Sequence, residues 1–119
     1  MFGAKAGLVN FVPLEVTMAL DFRTVNVRFD PTKGQVQREP GTAVFASRVL
    51  RAEAALKGFD IGYTDGDHHI FRQEVDVDIT GIRNNAVDIA VDFLLRDSSG
   101  NIDDRFNGSV EVLVLAETA

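Results

Sequence analysis

The sequence predicts an all-β domain, an antiparallel sandwich of the jelly-roll type with about seven or eight strands. Apolar and polar residues alternate with period two in several runs, as they do in strands that bury one face. Turn-forming residues separate these runs, and 119 residues suit a single core. We therefore interpret residues 1–119 as one domain, with residues 1–13 as an N-terminal arm.

The clearest alternation lies between Phe71 and Leu95. Apolar residues occupy every second position of Glu74 to Thr80 and again of Val87 to Leu95, opposite acidic residues. The intervening Gly81 to Asn85 contains a glycine and two asparagines, which tolerate positive φ. This pattern predicts a hairpin with one apolar and one solvated face.

The final strand is predicted at Val110 to Ala116, and it is apolar on both faces. Leu113 and Leu115 have the parity opposite to the core-facing valines, so another surface must cover them. The short N-terminal arm is one candidate. We favour a neighbouring subunit in a closed cyclic homo-oligomer, with a trimer expected before a dimer.

The first half of the chain gives weaker signals. The apolar residues from Leu14 to Phe22 share one parity and those from Val25 to Phe29 share the other, which predicts a bulge or strand break near Arg23 and Thr24. Residues 30–43 contain prolines and glycines, so they are interpreted as one long loop, with room for a short strand at Gln35 to Gln37.

The segment from Val44 to Lys57 fits two interpretations. Its apolar residues can form one face of a helix that ends at Gly58, but they also alternate with polar residues and continue in strand period to Tyr63. We favour one long strand from about Ser47 to Tyr63, with Gly58 as a kink.

Composition limits the partners. The net charge is −6 and the pI is about 4.7, so the average surface repels the phosphate backbone of nucleic acids. No apolar run is read as a signal peptide or a membrane span, and the compartment stays open, with cytoplasmic and particle-associated locations both compatible with the sequence. The absence of cysteine excludes thiol chemistry and disulfides.

Two polar segments are candidate ligand sites. The first holds Tyr63, Asp65, Asp67 and His69, a set of an aromatic, acids and a histidine that suits sugar binding on loops. As metal ligands Asp67 and His69 are too few, because adjacent strand residues such as His68 point to opposite faces.

The second segment places oxygen-bearing side chains at alternate positions, as at the start of a calcium loop: Asp97, Ser99, Asn101 and Asp103. However, Gly100 falls at the fourth position of such a loop instead of the sixth, and Ser109 stands where a glutamate ligand is required. A tight hairpin whose side chains bond their own backbone is therefore favoured, and no cofactor is expected.

Three stretches carry a resemblance to known proteins. The sequences LKGFDIGYTDGDHHI, RDSSGNIDD and VEVLVLA lie between Arg48 and Ala116 and resemble small bacterial and phage-related β-sandwich proteins of unassigned function. The Gly58–Phe59 step into a strand is similar to H-type lectins, which implies a compact sandwich that trimerises and binds sugars. The chain lacks tryptophan, and its Gly-Phe strand lies mid-chain, so no ligand residues are transferred.

The sequence contains no enzyme signature, since it lacks a nucleophile-elbow pattern and a glycine-rich phosphate loop. The leading hypothesis is a non-enzymatic, homo-oligomeric structural or interaction module, for instance in a particle or surface assembly. A lectin-like carbohydrate-binding domain is the alternative, and a metal-dependent enzyme follows it.

Overall fold

A computed structural model describes residues 18–32, 36–64, 70–97 and 105–119, apart from the side chains of Thr32, Phe71 and Asp97. These residues form an all-β structure of two antiparallel three-stranded sheets. The strands are β1 (Ala19–Thr32), β2 (Gln37–Val44), β3 (Val49–Tyr63), β4 (Ile70–Arg83), β5 (Ala86–Asp97) and β6 (Phe106–Thr118). The described part of the chain thus holds six strands, where the sequence predicts seven or eight.

The strand orders are β1–β6–β3 in one sheet and β2–β5–β4 in the other. Among the described strands, β6 and β5 are central because each pairs on both sides, and the other four lie at the edges of their sheets. Of the six described strands, only β4 and β5 are consecutive in the chain and neighbours in one sheet. Every other connection changes sheet, so most pairing joins residues that are distant in the chain.

The core lies between the inner faces of the two sheets. Strand β5 contributes Phe93, whose ring centroid lies 3.9 Å from that of Phe29 on β1 and 5.4 Å from that of Phe106 on β6. Burial of these apolar side chains is the main force that holds the sheets together. Among the described residues, the other fully buried large side chains of the inner faces are Phe45, Val87, Ile89, Val91, Leu95, Val110, Val112 and Val114. Leu94 is also buried, although it pairs with Glu74 and has the parity of the outer face of β5.

The predicted hairpin between Phe71 and Leu95 is confirmed. Strands β4 and β5 pair from Ile70 with Asp97 to Arg83 with Ala86, so a two-residue turn joins them. Asn84 in this turn has a φ of 55°, a conformation that asparagine tolerates better than most residues. The local sequence was sufficient here because the alternation and the turn residues agree.

The strand interpretation of residues 47–63 is confirmed, and the helical alternative over Val44 to Lys57 is wrong. Strand β3 pairs with β6 along its length, with a register shift between Leu56 and Gly58 where a kink was predicted. The central strand β6 supplies the hydrogen-bond partners that make the extended conformation the favoured one.

The prediction of one long loop over residues 30–43 is wrong. Strand β1 extends to Thr32, and β2 occupies Gln37–Val44 despite Pro40 and Gly41. Proline is tolerated because β2 is an edge strand, where a backbone N–H can be dispensed with. Gly41 permits close packing, since a Cβ there would lie 3.0 Å from Cγ1 of Val25.

The two ends of the sheets differ. At the end that we call the turn end, the backbone N–H groups of Phe45 and Val49 donate to the carbonyls of Asn85 and Asn84, both at 2.8 Å. Strand β1 begins and β6 finishes at the same end, where Ala19 pairs with Thr118. The opposite end, where β3 finishes at Tyr63, we call the loop end.

Candidate functional site

The outer face of the β2–β5–β4 sheet is charged and paired. Arg38 on β2 binds Asp92 on β5 at 2.5 Å, and Arg83 on β4 binds Asp88 on β5 at 2.6 Å. These cross-strand pairs agree with the predicted solvated face of the hairpin. Such a face favours contact with water over contact with an apolar partner.

Asp88 is the most strongly perturbed carboxyl of this face. It accepts hydrogen bonds from the Arg83 guanidinium at 2.6 and 2.8 Å and from the Thr42 hydroxyl at 2.9 Å. The Arg83 bonds first, and then the Thr42 bond, lower the pKa of Asp88 to about 2. The bonds favour the ionised form of Asp88. Because their donors lie on β2 and β4, they also link these two strands to β5.

We expect Asp88→Asn to reduce the sensitivity of folding to acid. The pKa of Asp88 is lower in the folded protein than the ordinary 3.8, so its contribution to stability is present above about pH 4. That contribution disappears as the pH falls from about 4 to about 2. Urea unfolding at pH 6 and at pH 2.5 should show a smaller loss for the variant than for the wild type. Equal losses would contradict this role, and Asp60→Asn, an exposed site on the other sheet, serves as control.

Three carboxylates cluster on the same outer face. Single oxygens of Asp76, Asp78 and Asp92 lie within 4.8 Å of one another. Asp92 is bound to Arg38, and Asp76 and Asp78 are exposed. The cluster fits the solvated strand face that the alternation predicts, and the arrangement by itself does not identify a metal site.

The outer face of the β1–β6–β3 sheet is different because its turn-end half is apolar. Phe22 pairs with Leu115, and Leu113 lies two residues away on β6 with its side chain on the same face. Leu20 is 72% exposed and Phe22 is 62% exposed. We call these four side chains, Leu20, Phe22, Leu113 and Leu115, the apolar stripe. Leu113 and Leu115 therefore lie on the face predicted for them.

The predicted bulge near Arg23 and Thr24 is wrong. Strand β1 pairs with β6 without interruption from Ala19 to Phe29, so the change of parity marks a change of face. Of the described apolar residues, Leu20 and Phe22 point outward into the stripe, and Val25, Val27 and Phe29 point into the core. The sequence analysis missed Leu20 and Phe22 as surface residues. Their signal was the parity change itself, because regular strands place alternate residues on opposite faces.

A shallow hollow of about 410 Å³ lies at the turn end of the apolar stripe. Its lining includes Leu20 and Leu115, with Arg51 and Glu53 from β3. Arg51 binds Glu117 across the rim at 2.8 Å. On the other side of the stripe, the Lys57 ammonium donates to the Thr24 hydroxyl at 3.1 Å, so its side chain passes over β6. The stripe is therefore bordered by polar groups at both ends, by Arg51 and Glu117 at the turn end and by Lys57 at the other.

The edge strands are poorly suited to pair with another sheet. Where both paired strands are described there are five register shifts, and each inserts its extra residue in an edge strand, in β1, β3 or β4. The remaining edge strand, β2, contains Pro40. Bulges and prolines obstruct edge-to-edge pairing, so the apolar stripe is a better contact surface than any described edge.

The structure describes only some of the residues that the sequence predicts to bind a ligand. Tyr63 is the last residue of β3, pairs with Phe106 and points between the sheets with its hydroxyl oxygen buried. Its place at the end of a strand agrees with the sequence, and its role as a ligand residue stays a prediction. The remaining predicted residues, Asp65, Asp67, His69, Ser99, Asn101 and Asp103, lie outside the described residues, as does the side chain of Asp97.

A second depression, of about 350 Å³, lies at the loop-end half of the same outer face. It is polar, with Arg28 on β1, Asn107 and Ser109 on β6, and Asp60 on β3. Gly62 on β3 leaves space, since a Cβ there would contact nothing within 4 Å. One face of this sheet thus combines an apolar half with a polar half.

Comparison of the chain with protein-family models, curated proteins and solved structures finds no match. The similarity to H-type lectins and to phage-related sandwich proteins therefore stays a prediction. Within the described ranges there is no helix long and apolar enough to cross a membrane.

Proposed function

We propose that this chain is a non-enzymatic, homo-oligomeric structural or interaction module that assembles through the apolar stripe. The observation that carries the proposal is the exposure of Leu20 and Phe22 beside Leu113 and Leu115, on the face away from the core. A contiguous exposed apolar patch of this kind usually marks a contact with another protein. The charged second face and the irregular edges support the same choice of surface.

A closed ring, with a trimer expected before a dimer, fits the shape of the stripe. Phe22 lies on the edge strand β1, whereas the hollow extends from β6 towards β3. Contact between these different parts of the face is head-to-tail, and head-to-tail contacts form rings when the rotation closes.

We also propose the finer fold that the sequence predicts, which is a jelly-roll-like sandwich of seven or eight strands. The alternation of Leu14 and Val16 in the sequence before β1 supports it.

Light scattering at micromolar concentration tests the assembly. We expect a wild-type mass near three times the 13.0 kDa of one chain. Leu113→Glu would place an unpaired carboxylate in a desolvated contact, which costs several kcal/mol. The variant should therefore dissociate to one chain.

Two further variants separate dissociation from unfolding. Phe22→Glu changes a mostly exposed side chain, so it should dissociate the oligomer while far-ultraviolet circular dichroism stays that of a β protein. Val44→Glu is the matched control, because Val44 is 58% exposed on the outer face of the other sheet. A wild-type mass of one chain would refute the proposal.

A lectin-like domain is the second candidate, and the polar depression around Arg28, Asp60 and Asn107 supports it. Convergent amide, carboxylate and guanidinium groups are suited to hydrogen-bond sugar hydroxyls. A rise in melting temperature with one of a panel of monosaccharides, lost in Asn107→Ala, would favour this alternative.

A further inference from the structure

We infer that the polar depression at the loop end binds a small zwitterionic molecule, whose anionic group contacts Arg28 and whose cationic group contacts Asp60. The depression lies on the outer face of the β1–β6–β3 sheet, in the half away from the apolar stripe. The inference is therefore independent of the proposed self-assembly. It also assigns the depression a ligand of a different class from the sugars of the lectin-like alternative.

The two charged residues lie in one row across the sheet. Arg28 on β1 and Asp60 on β3 both pair with Ser109 on β6, from opposite sides. Their Cα atoms are thus separated by two strand spacings, about 9.5 Å. All three residues have the parity of the outer face and line the depression, so Ser109 lies between a positive and a negative side chain.

Neither charge is neutralised by a described neighbour. Within residues 18–32, 36–64, 70–97 and 105–119, Arg28 and Asp60 take part in no ion pair, although five other arginines do. The charge of those five arginines is used within the chain, to hold its own side chains. The guanidinium of Arg28 and the carboxylate of Asp60 are instead available for charge-assisted hydrogen bonds with a ligand, which are stronger than neutral ones.

The mixture of charges determines the class of ligand. A purely anionic molecule would meet the carboxylate of Asp60, and Asp30 also lines the depression. A purely cationic molecule would meet the guanidinium of Arg28. A zwitterion finds an opposite charge on each side, and the hydroxyl of Ser109 and the amide of Asn107 can hydrogen-bond the polar groups between its charges.

The test is an NMR titration of the isotope-labelled chain with amino acids whose two charges are increasingly far apart: glycine, 4-aminobutanoate and 6-aminohexanoate. We expect shifts of the Asn107 side-chain amide and of the Ser109 and Gly62 backbone amides. The two longer probes should bind more tightly than glycine, because Arg28 and Asp60 lie on strands that are not neighbours. Butanoate and n-butylammonium should bind about tenfold more weakly, since each lacks one charge-assisted hydrogen bond.

Charge reversal in the protein separates this site from a general effect of net charge. Arg28→Glu and Asp60→Lys should each weaken the binding of 4-aminobutanoate about tenfold. The double variant Arg28→Glu/Asp60→Lys should restore binding, with the ligand reversed. Arg48→Glu is the matched control, because Arg48 is an exposed arginine at the turn end that takes part in no ion pair among the described residues. This control should bind as the wild type does.

Every outcome of the titration decides the inference. All substituted side chains are exposed, so the variants should keep the circular dichroism of the wild type. No shift with any of the three amino acids would overturn the inference, and so would equally tight binding of butanoate or n-butylammonium. A double variant that stays as weak as the single ones would show that the two side chains do not act as a pair, which also overturns it. Shifts with monosaccharides alone would replace it by the lectin-like alternative.

Discussion

Replacing Phe93 with alanine is expected to lower the free energy of unfolding by about 3–5 kcal/mol. Phe93 is fully buried on the central strand β5, with its ring against those of Phe29 and Phe106. The substitution removes apolar contacts from both sheets and leaves a cavity that the long strands cannot close. A small domain has a total stability of about 5–15 kcal/mol, so the variant should be partly unfolded or close to unfolding.

Urea unfolding followed by circular dichroism measures this loss. The protein concentration must be the same for all variants, because association stabilises the folded state. Phe22→Ala is the matched control. It makes the same substitution at a side chain that lies outside the core and is mostly exposed. Its effect on a dissociated chain should be about 0.5 kcal/mol or less. Similar losses for the two variants would contradict the assignment of the inner and outer faces of the sheets.

Gly108→Ala is expected to destabilise the protein by about 3 kcal/mol or more. A Cβ at this position of β6 would overlap the backbone carbonyl oxygen of Asp60 and lie 2.9 Å from the Cα of Ile61. Both atoms belong to the backbone of β3, so a change of rotamer cannot relieve the overlap. The β3–β6 pairing at the loop end would have to separate, with loss of its backbone hydrogen bonds.

The matched control for Gly108 is Gly62→Ala on the neighbouring strand. A Cβ at Gly62 would meet nothing within 4 Å, and its partner in the sheet is Asn107, the residue before Gly108. Thermal unfolding should therefore leave the Gly62 variant near the wild type while the Gly108 variant melts well below it. An unaffected Gly108 variant would show that β3 and β6 do not approach as closely as the register implies.

Local alternation was enough to predict the β4–β5 hairpin and the double-sided apolar character of β6. Each depends on residues close in the chain, namely the Gly81 to Asn85 turn and the run from Val110 to Ala116. The pattern fixes only which side chains share a face. It predicted that Leu113 and Leu115 lie away from the core, because neighbouring residues of a strand point to opposite faces.

The predictions for residues 20–43 failed because the interpretation of a residue depended on strands far away in the chain. Pro40 belongs to a strand because β2 lies at an edge, and that position results from its pairing with β5. Likewise, Leu20 and Phe22 suggested an irregular strand until the pairing of β1 with β6 showed that they face outward. Tyr63 ends β3 as predicted, but the alternation alone did not show that its hydroxyl oxygen is buried between the sheets.

The sequence by itself determined the all-β class, the hairpin and the parity of the last strand, because these depend on the local geometry of an extended chain. Only the tertiary structure decided which strands are edges and that Leu20 and Phe22 share one face with Leu113 and Leu115. The physical reason is that an apolar side chain in a strand is equally compatible with a core and with an exposed contact. Which of the two it forms depends on how the strands pair and on which face the other sheet covers. The pairing alone joins residues almost 100 positions apart, such as Ala19 and Thr118.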